Sequence, residues 1–507
     1  MTIFPPEGKG FALNKLNLKR RKMPIDFTES KAYDPKDIQD LLESIQGNIL
    51  KGHGRDYTIH IFVKFNAANN VRNLRKKLVA VARDTIRSAW QQHVEGEQYR
   101  KYKIPGAVFG NIFLTASGYR ALGFTDEQLD AAFMDNYFRR GMPATHDDFK
   151  DPAPAKWDEG YNSAIDAMFL LADDDKDFLL RRGRDLINAL DEFCEILVVE
   201  RGEALRNKEN NEGMEHFGYV DGRSQPIYLT TDLKNEGTTE KWNPVEPLNI
   251  VLTDDKLAGD GNWGSYFVFR KLEQDVLSFK TREQKLADEL GFVTKEARER
   301  AGALAVGRFE DGTPVVLSPT DGYIPIKEND FDYSIDDDRP DPLDPTKTIP
   351  GGLKCPYQSH IRKTNPRGDT VRRFGVSDRD ERNHRVTRRG ITYGERKKHP
   401  NDAQSLSDYP TKGVGLLFMC FQAGIQDQFA FMQIDWANDS DFVKDEAGLD
   451  PIIGQGSGND QKWRQHYGQP AGEEIEFSFQ GFVQMKGGEF FFAPSIKFLK
   501  TFAPPAA

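Results

Sequence analysis

Residues 58–65 (TIHIFVKF) alternate hydrophobic and polar positions, the period of two that predicts a strand. Residues 71–93 carry apolar side chains at helical spacing instead and predict one long amphipathic helix. A second strand is predicted at 107–115, then a helix around 116–122, a helix over 178–193 and a strand over 194–200. The outline repeats downstream, with a strand at 265–269, helices near 272–290 and 295–304, a strand at 415–422 and a helix from about 425 to 436. Residues 477–484 and 489–493 are predicted to pair as a hairpin that turns at Gly487-Gly488.

Strands and helices interleave without a Rossmann-type glycine turn. The expected fold class is therefore α+β, with two ferredoxin-like domains of antiparallel sheet flanked by helices. Residues 1–55 form an arm with a basic stretch at 15–22 and a short helix near 37–45. An N-terminal domain spans 56–235 and a C-terminal domain 236–507. The two halves resemble each other in their order of elements, not in their residues.

Composition narrows the function. The chain has 507 residues, with 69 Lys and Arg against 79 Asp and Glu, a net charge of −10. That balance argues against a protein that coats nucleic acid or lies on an anionic membrane. The apolar run at 414–421 is too short to span a bilayer, and the N-terminus lacks the apolar core of a signal peptide. The sequon Asn438-Asp439-Ser440 is weak evidence for secretion. Cys194, Cys355 and Cys420 cannot form a disulfide framework, and Cys194 and Cys420 lie in strand-like apolar runs as expected buried thiols. Two blocks stand out by charge: an acidic, Pro-rich one at 328–344, and an Arg-rich one at 360–399 that suits either a salt-bridged surface or an anion site.

Familiar catalytic signatures are missing: there is no GxxxxGK[ST], HExxH, CxxC pair or GxSxG, and Gly454, Gly456 and Gly458 read as loop. Three short elements remain. Glu215-His216-Phe217-Gly218-Tyr219-Val220-Asp221-Gly222-Arg223 sets an aspartate between glycines. Cys355-Pro356-Tyr357-Gln358-Ser359-His360-Ile361-Arg362-Lys363-Thr364-Asn365-Pro366-Arg367 holds a histidine and two arginines. Arg388-Arg389-Gly390-Ile391-Thr392-Tyr393-Gly394 begins 28 residues past His360. Each alone has a plainer account, as a turn, a structural histidine or a charged surface.

Together and in this order, the GxxDG, HxRxxNPR and RRGxxYG elements resemble those of the dye-decolourising haem peroxidases, especially fungal-type members with longer insertions. The resemblance covers residues 40–502. It implies two ferredoxin-like domains, with one haem b per chain held in the second. Arg223 departs from the aliphatic residue more usual after GxxDG, a change beside the pocket.

The chemistry fits those residue types. A ferric haem needs one strong protein ligand and one open face, and His360 matches the axial ligand. Asp450, in Leu449-Asp450-Pro451, matches the acceptor for its other ring nitrogen, which raises ligand basicity. Hydrogen peroxide must lose a proton from one oxygen and gain one on the other. A positioned base that returns the proton contributes roughly 10²–10⁴-fold. Asp221 matches that role, and Arg388 supplies a fixed positive charge. An aspartate, with an ordinary pKa of about 4, keeps working in acid where a histidine is protonated.

By the same resemblance Arg367 and His216 are expected at the haem propionates, Leu416 and Phe418 in the distal wall, and Tyr393 and Trp436 as surface electron relays. The expected partners are hydrogen peroxide and bulky aromatic reductants such as dyes and phenols, with no nucleic acid and no membrane. The oligomeric state is not readable from the sequence, with a monomer slightly favoured. The family implies an extracellular protein, while the N-terminus leaves a cytoplasmic location open. Two rival readings explain less. A Cys355 thiolate ligand leaves His360 and Arg388 without a role. A haem carrier needs His360 but neither Asp221 nor Arg388.

Overall fold

The computed structural model describes residues 25–66, 70–322, 329–336, 339–340, 346–349, 351–458, 460–469 and 474–504. The basic stretch at 15–22 and much of the acidic block lie outside the described residues. One antiparallel sheet organises the molecule. Its main strands are β1 (Tyr57–Phe65), β2 (Phe109–Leu114), β3 (Ala167–Asp173), β4 (Cys194–Glu203), β5 (Trp263–Gln274), β6 (Ile391–Tyr393), β7 (Gly415–Gln422) and β8 (Val483–Ala493). The order across the sheet is β6-β7-β5-β8-β2-β3-β1-β4. Each half carries the ferredoxin-like order, since β2-β3-β1-β4 and β6-β7-β5-β8 have the same pattern read in the same direction.

The halves join edge to edge where β8 pairs β2 at Phe492 and Leu114. The two outer edges also meet. Thr392 in β6 donates its hydroxyl to the carbonyl of Glu203 at the end of β4, and Leu205 N–H donates to Thr392 Oγ1 at 3.1 Å. The sheet therefore curls towards a barrel, which leaves few exposed strand edges. Phenylalanines fill its interior: Phe113 stacks on Phe267 at 4.1 Å, and Phe421 and Phe491 pack against both. Removing one such ring costs about 3–5 kcal/mol. A second core, with Phe217 stacked on Phe279 at 4.0 Å and Phe479 and Phe482 edge-on to Phe279, underlies the loop that carries Asp221.

Three predicted elements are corrected. The helix expected over 71–93 is two, Val71–Thr85 and Ala89–Tyr102. Ile86 turns to extended backbone, and Ser88 starts the second helix with a capping box to Gln91. The helix expected from 272 begins at Val276, because Leu272 to Gln274 still pair with β7 or β8. The hairpin at Gly487-Gly488 does not form. β8 runs straight through both glycines, with a bulge between Met485 and Gly487. A Cβ on Gly487 would lie 2.2 Å from the Tyr161 ring and one on Gly488 2.4 Å from the Phe269 carbonyl, so these glycines serve close approach, not a turn.

Candidate active site

Asp221 sits in a loop that its own backbone and one buried carboxyl hold rigid. Glu215 accepts hydrogen bonds from Phe217 N–H at 2.7 Å and Tyr219 N–H at 3.0 Å, and Gln274 donates to it as well. Burial outweighs these bonds and pushes the Glu215 carboxyl up to about 7. Asp221 N–H donates to the Gly213 carbonyl at 2.8 Å. The flanking Gly218 and Gly222 adopt φ of +106° and +89°, a backbone that side chains resist.

Arg388 arrives from the two-residue strand Thr387–Arg388, which pairs with β7 at Phe421 and Cys420. Its Nη1 donates to Asp221 Oδ1 at 2.7 Å, and its Nη2 donates to the Arg223 carbonyl at 2.7 Å. Gly222 N–H donates to the same Oδ1 at 2.6 Å. Asp221 Oδ2 has no hydrogen-bond partner among the described residues, and the side chain is 34% exposed. Burial tends to raise this carboxyl, but the Arg388 charge and the two donors prevail and hold it below its ordinary value.

His360 opens the short helix His360–Thr364. Its Nδ1 lies 2.9 Å from Asp450 Oδ2, and Asp450 is fully buried. Asp450 Oδ1 accepts from Ile452 N–H at 2.8 Å and Ile453 N–H at 2.9 Å. With Nδ1 committed as the donor, Nε2 is the nitrogen left to bind a ligand.

Asp221, Arg388 and His360 line one cavity of about 1780 Å³, part of it open to solvent. Its sheet wall follows from register. Leu416 opposes Leu272, and Phe418 opposes Arg270, so all four share one face, next to Met485. Arg367 and Arg308 add two buried guanidinium groups to the lining. Both donate to Ser224 Oγ, at 2.7 and 3.1 Å, and no carboxylate forms an ion pair with either among the described residues.

The other named residues lie elsewhere. His216 is buried with Nε2 2.9 Å from the Tyr393 carbonyl and is not part of the lining. Tyr393 and Trp436 are 8% and 3% exposed, so the expectation of surface aromatics is corrected for both. Strand pairing of β6 encloses Tyr393, and Phe442 stacks on Trp436 at 5.2 Å. Cys355 is buried outside the cavity lining, its thiol pushed up to about 12 by burial, which argues against a thiolate ligand. Arg308, Arg270 and Glu215 are cavity residues that sequence reasoning missed. Glu215 stood inside a quoted motif, whereas nothing in the pattern around Arg308 or Arg270 marks them.

A family model described as the DyP dimeric alpha+beta barrel domain matches residues 44–204. The chain is 38% identical over 491 residues to the multifunctional dye peroxidase DyP2 of Amycolatopsis sp., covering 94% of this chain and 100% of that one. It is 32% identical to a dye-decolorizing peroxidase of Mycena epipterygia, over 78% of this chain and 76% of that one. Its structure resembles that of a DyP-type peroxidase from Anabaena sp., with a TM-score of 0.82 and 40% identity, covering 92% of this chain and 96% of that one.

Proposed function

The chain belongs to the dye-decolourising peroxidase family and is a haem peroxidase, and from that premise we propose that Asp221 and Arg388 carry out its peroxide chemistry and that it oxidises bulky dyes and phenolic compounds. One observation carries the reading. A single cavity is lined by both an aspartate–arginine pair whose second carboxylate oxygen has no partner among the described residues and a histidine whose Nδ1 is committed to a buried carboxylate.

The residues fit haem b, one group per chain. Leu272, Leu416, Phe418, Ile452 and Met485 would offer apolar surface to the macrocycle, and His360 Nε2 is the nitrogen that would hold the iron. Arg308 and Arg367, buried without carboxylate partners among the described residues, suit two propionates. When bound, the haem would supply the iron and the two electrons that reduce peroxide, and the dye or phenol would return them.

The protein's own part is proton handling and electrostatics. Asp221 Oδ2 accepts the proton from one oxygen of hydrogen peroxide and returns it to the departing oxygen, which leaves as water. Arg388 keeps Asp221 ionised in acid and places a fixed positive charge beside the anion that develops as the O–O bond stretches. Asp450 fixes the His360 ring and tautomer. Reductants too large for the cavity must deliver electrons through the protein. Trp436 enters this proposal only as an interior station, edge-on at 5.4 Å to the half-buried His384.

The test is a spectrum of the haem-loaded protein at acidic pH before and after one equivalent of hydrogen peroxide. A histidine-ligated ferric spectrum that changes rapidly with peroxide and returns when a dye is added is the expected result. Haem that binds yet ignores peroxide would make the protein a carrier, and a protein that takes up no haem would contradict the site assignment.

A further inference from the structure

We propose that Arg270, fixed by Asp151, sets the charge that the sheet wall presents to the cofactor and thereby raises the reduction potential of the bound iron. This inference rests on the haem reading above. Arg270 lies on β5 opposite Phe418 and shares the cavity face with Leu272 and Leu416. Every neighbour along that row is apolar, yet the chain places a guanidinium there with only 5% of its side chain exposed.

The charge is held in place from several sides. Nη2 donates to Asp151 Oδ1 at 2.5 Å, and Nε donates to Met485 Sδ at 3.3 Å. The rings of Phe149 and Phe429 stand 5.8 and 5.5 Å from the guanidinium carbon. Nη1 has no partner among the described residues. Asp151 is itself fully buried, and its Oδ2 is likewise unpaired. It is anchored by its N–H, which donates to the His146 carbonyl at 3.0 Å, and it follows Lys150, which adopts a φ of +57°.

A buried pair of this kind is a poor way to gain stability, because desolvation cancels much of the attraction and apolar replacements often do as well. Its placement gives it another use. The guanidinium is on the cavity side and the carboxylate behind it, so the cavity senses mainly the positive end, in surroundings where charges act strongly. A positive charge beside the iron favours the reduced state, which carries one positive charge fewer.

The two members should then act in opposite directions. Spectroelectrochemical titration of haem-loaded wild type, Arg270→Met and Asp151→Asn should give a lower midpoint potential for Arg270→Met and a higher one for Asp151→Asn, at equal haem content. A purely structural pair would not split the signs. Unchanged potentials, or shifts in the same direction, would overturn the proposal. Should Arg270→Met fail to fold, Asp151→Asn decides alone: a rise supports the inference, and a wild-type potential overturns it. Failure of the wild type to bind haem would overturn the haem reading as well, whereas haem-loaded variants at the wild-type potential would overturn this inference only.

Discussion

Two aspartates serve the same cavity, Asp221 in its lining and Asp450 behind His360, and each pairs with a basic group, yet they are built for different work. Asp450 has no exposed surface, and both its oxygens are occupied, Oδ2 by His360 and Oδ1 by two backbone N–H groups. Asp221 is about one-third exposed, and both of its donors converge on Oδ1, leaving Oδ2 open to the cavity. A carboxylate with both oxygens engaged and no exposed surface can orient a neighbour but offers no donor-free oxygen to an incoming proton. One with a donor-free, exposed oxygen can receive it, and its strong cation keeps it in the base form. Residue type and ion pairing are alike in the two cases. Saturation and exposure separate the holder from the proton carrier.

The contrast can be broken most severely at Asp221. Asp221→Asn keeps the size and the donors but removes the base, so the rate constant with hydrogen peroxide should fall by roughly 10²–10⁴-fold. Haem content should stay at the wild-type level, as stopped-flow mixing and haem titration would report. Loss of haem with an unchanged rate per haem would reverse the two roles.

At the other aspartate the effect should be smaller and of another kind. Asp450→Asn offers one oxygen where the site needs acceptors for three donors. Haem affinity should weaken by about 10–100-fold. The pH dependence of the peroxide reaction should not move, because Asp221 and Arg388 are untouched.

Glu489 sharpens the comparison from outside the cavity and has the smallest expected effect on the site, its consequence being for stability alone. It is a buried carboxyl whose donors are backbone N–H groups, from Met142 and Phe490, with no cation paired to it among the described residues. Burial pushes it up to about 7, the opposite direction from Asp221. Its folded pKa lies above the unfolded one, so the folded state binds more protons in the window between them. Its contribution to stability is full below the unfolded value, about 4.3, and is lost as pH rises towards about 7. Glu489→Gln should flatten the fall in stability across that window, by on the order of 3 kcal/mol, readable as melting temperature against pH.

Much of this was legible in the chain before any coordinates. The alternation of 58–65 and the apolar run of 415–422 correspond to β1 and β7. Local pattern failed where a tertiary contact decided. Ser88 ends a continuous amphipathic run with its cap, and Gly487-Gly488 has the composition of a turn but lies mid-strand because Tyr161 and the Phe269 backbone leave no room for a side chain. At the site, Asp221, His360 and Arg388 stood out because short motifs surround them. Arg308 did not, since it follows a helix end at Gly307 with no motif of its own. Arg270 and Asp151 meet across 119 residues of sequence, and Arg270 falls one residue past the strand predicted at 265–269. The relay aromatics were placed at the surface by analogy alone, and packing put both inside.

The central claim is that a carboxylate held ionised by Arg388 carries the peroxide proton. The most direct test is the second-order rate constant of the haem-loaded wild type with hydrogen peroxide, followed from neutral pH down to the acid limit of the fold. Because the folded pKa of Asp221 is lowered, the base form persists below the ordinary aspartate value of about 3.9. The account predicts a rate that holds through that value and declines only beneath it. A decline centred near 6.5, where an ordinary histidine titrates, would contradict it.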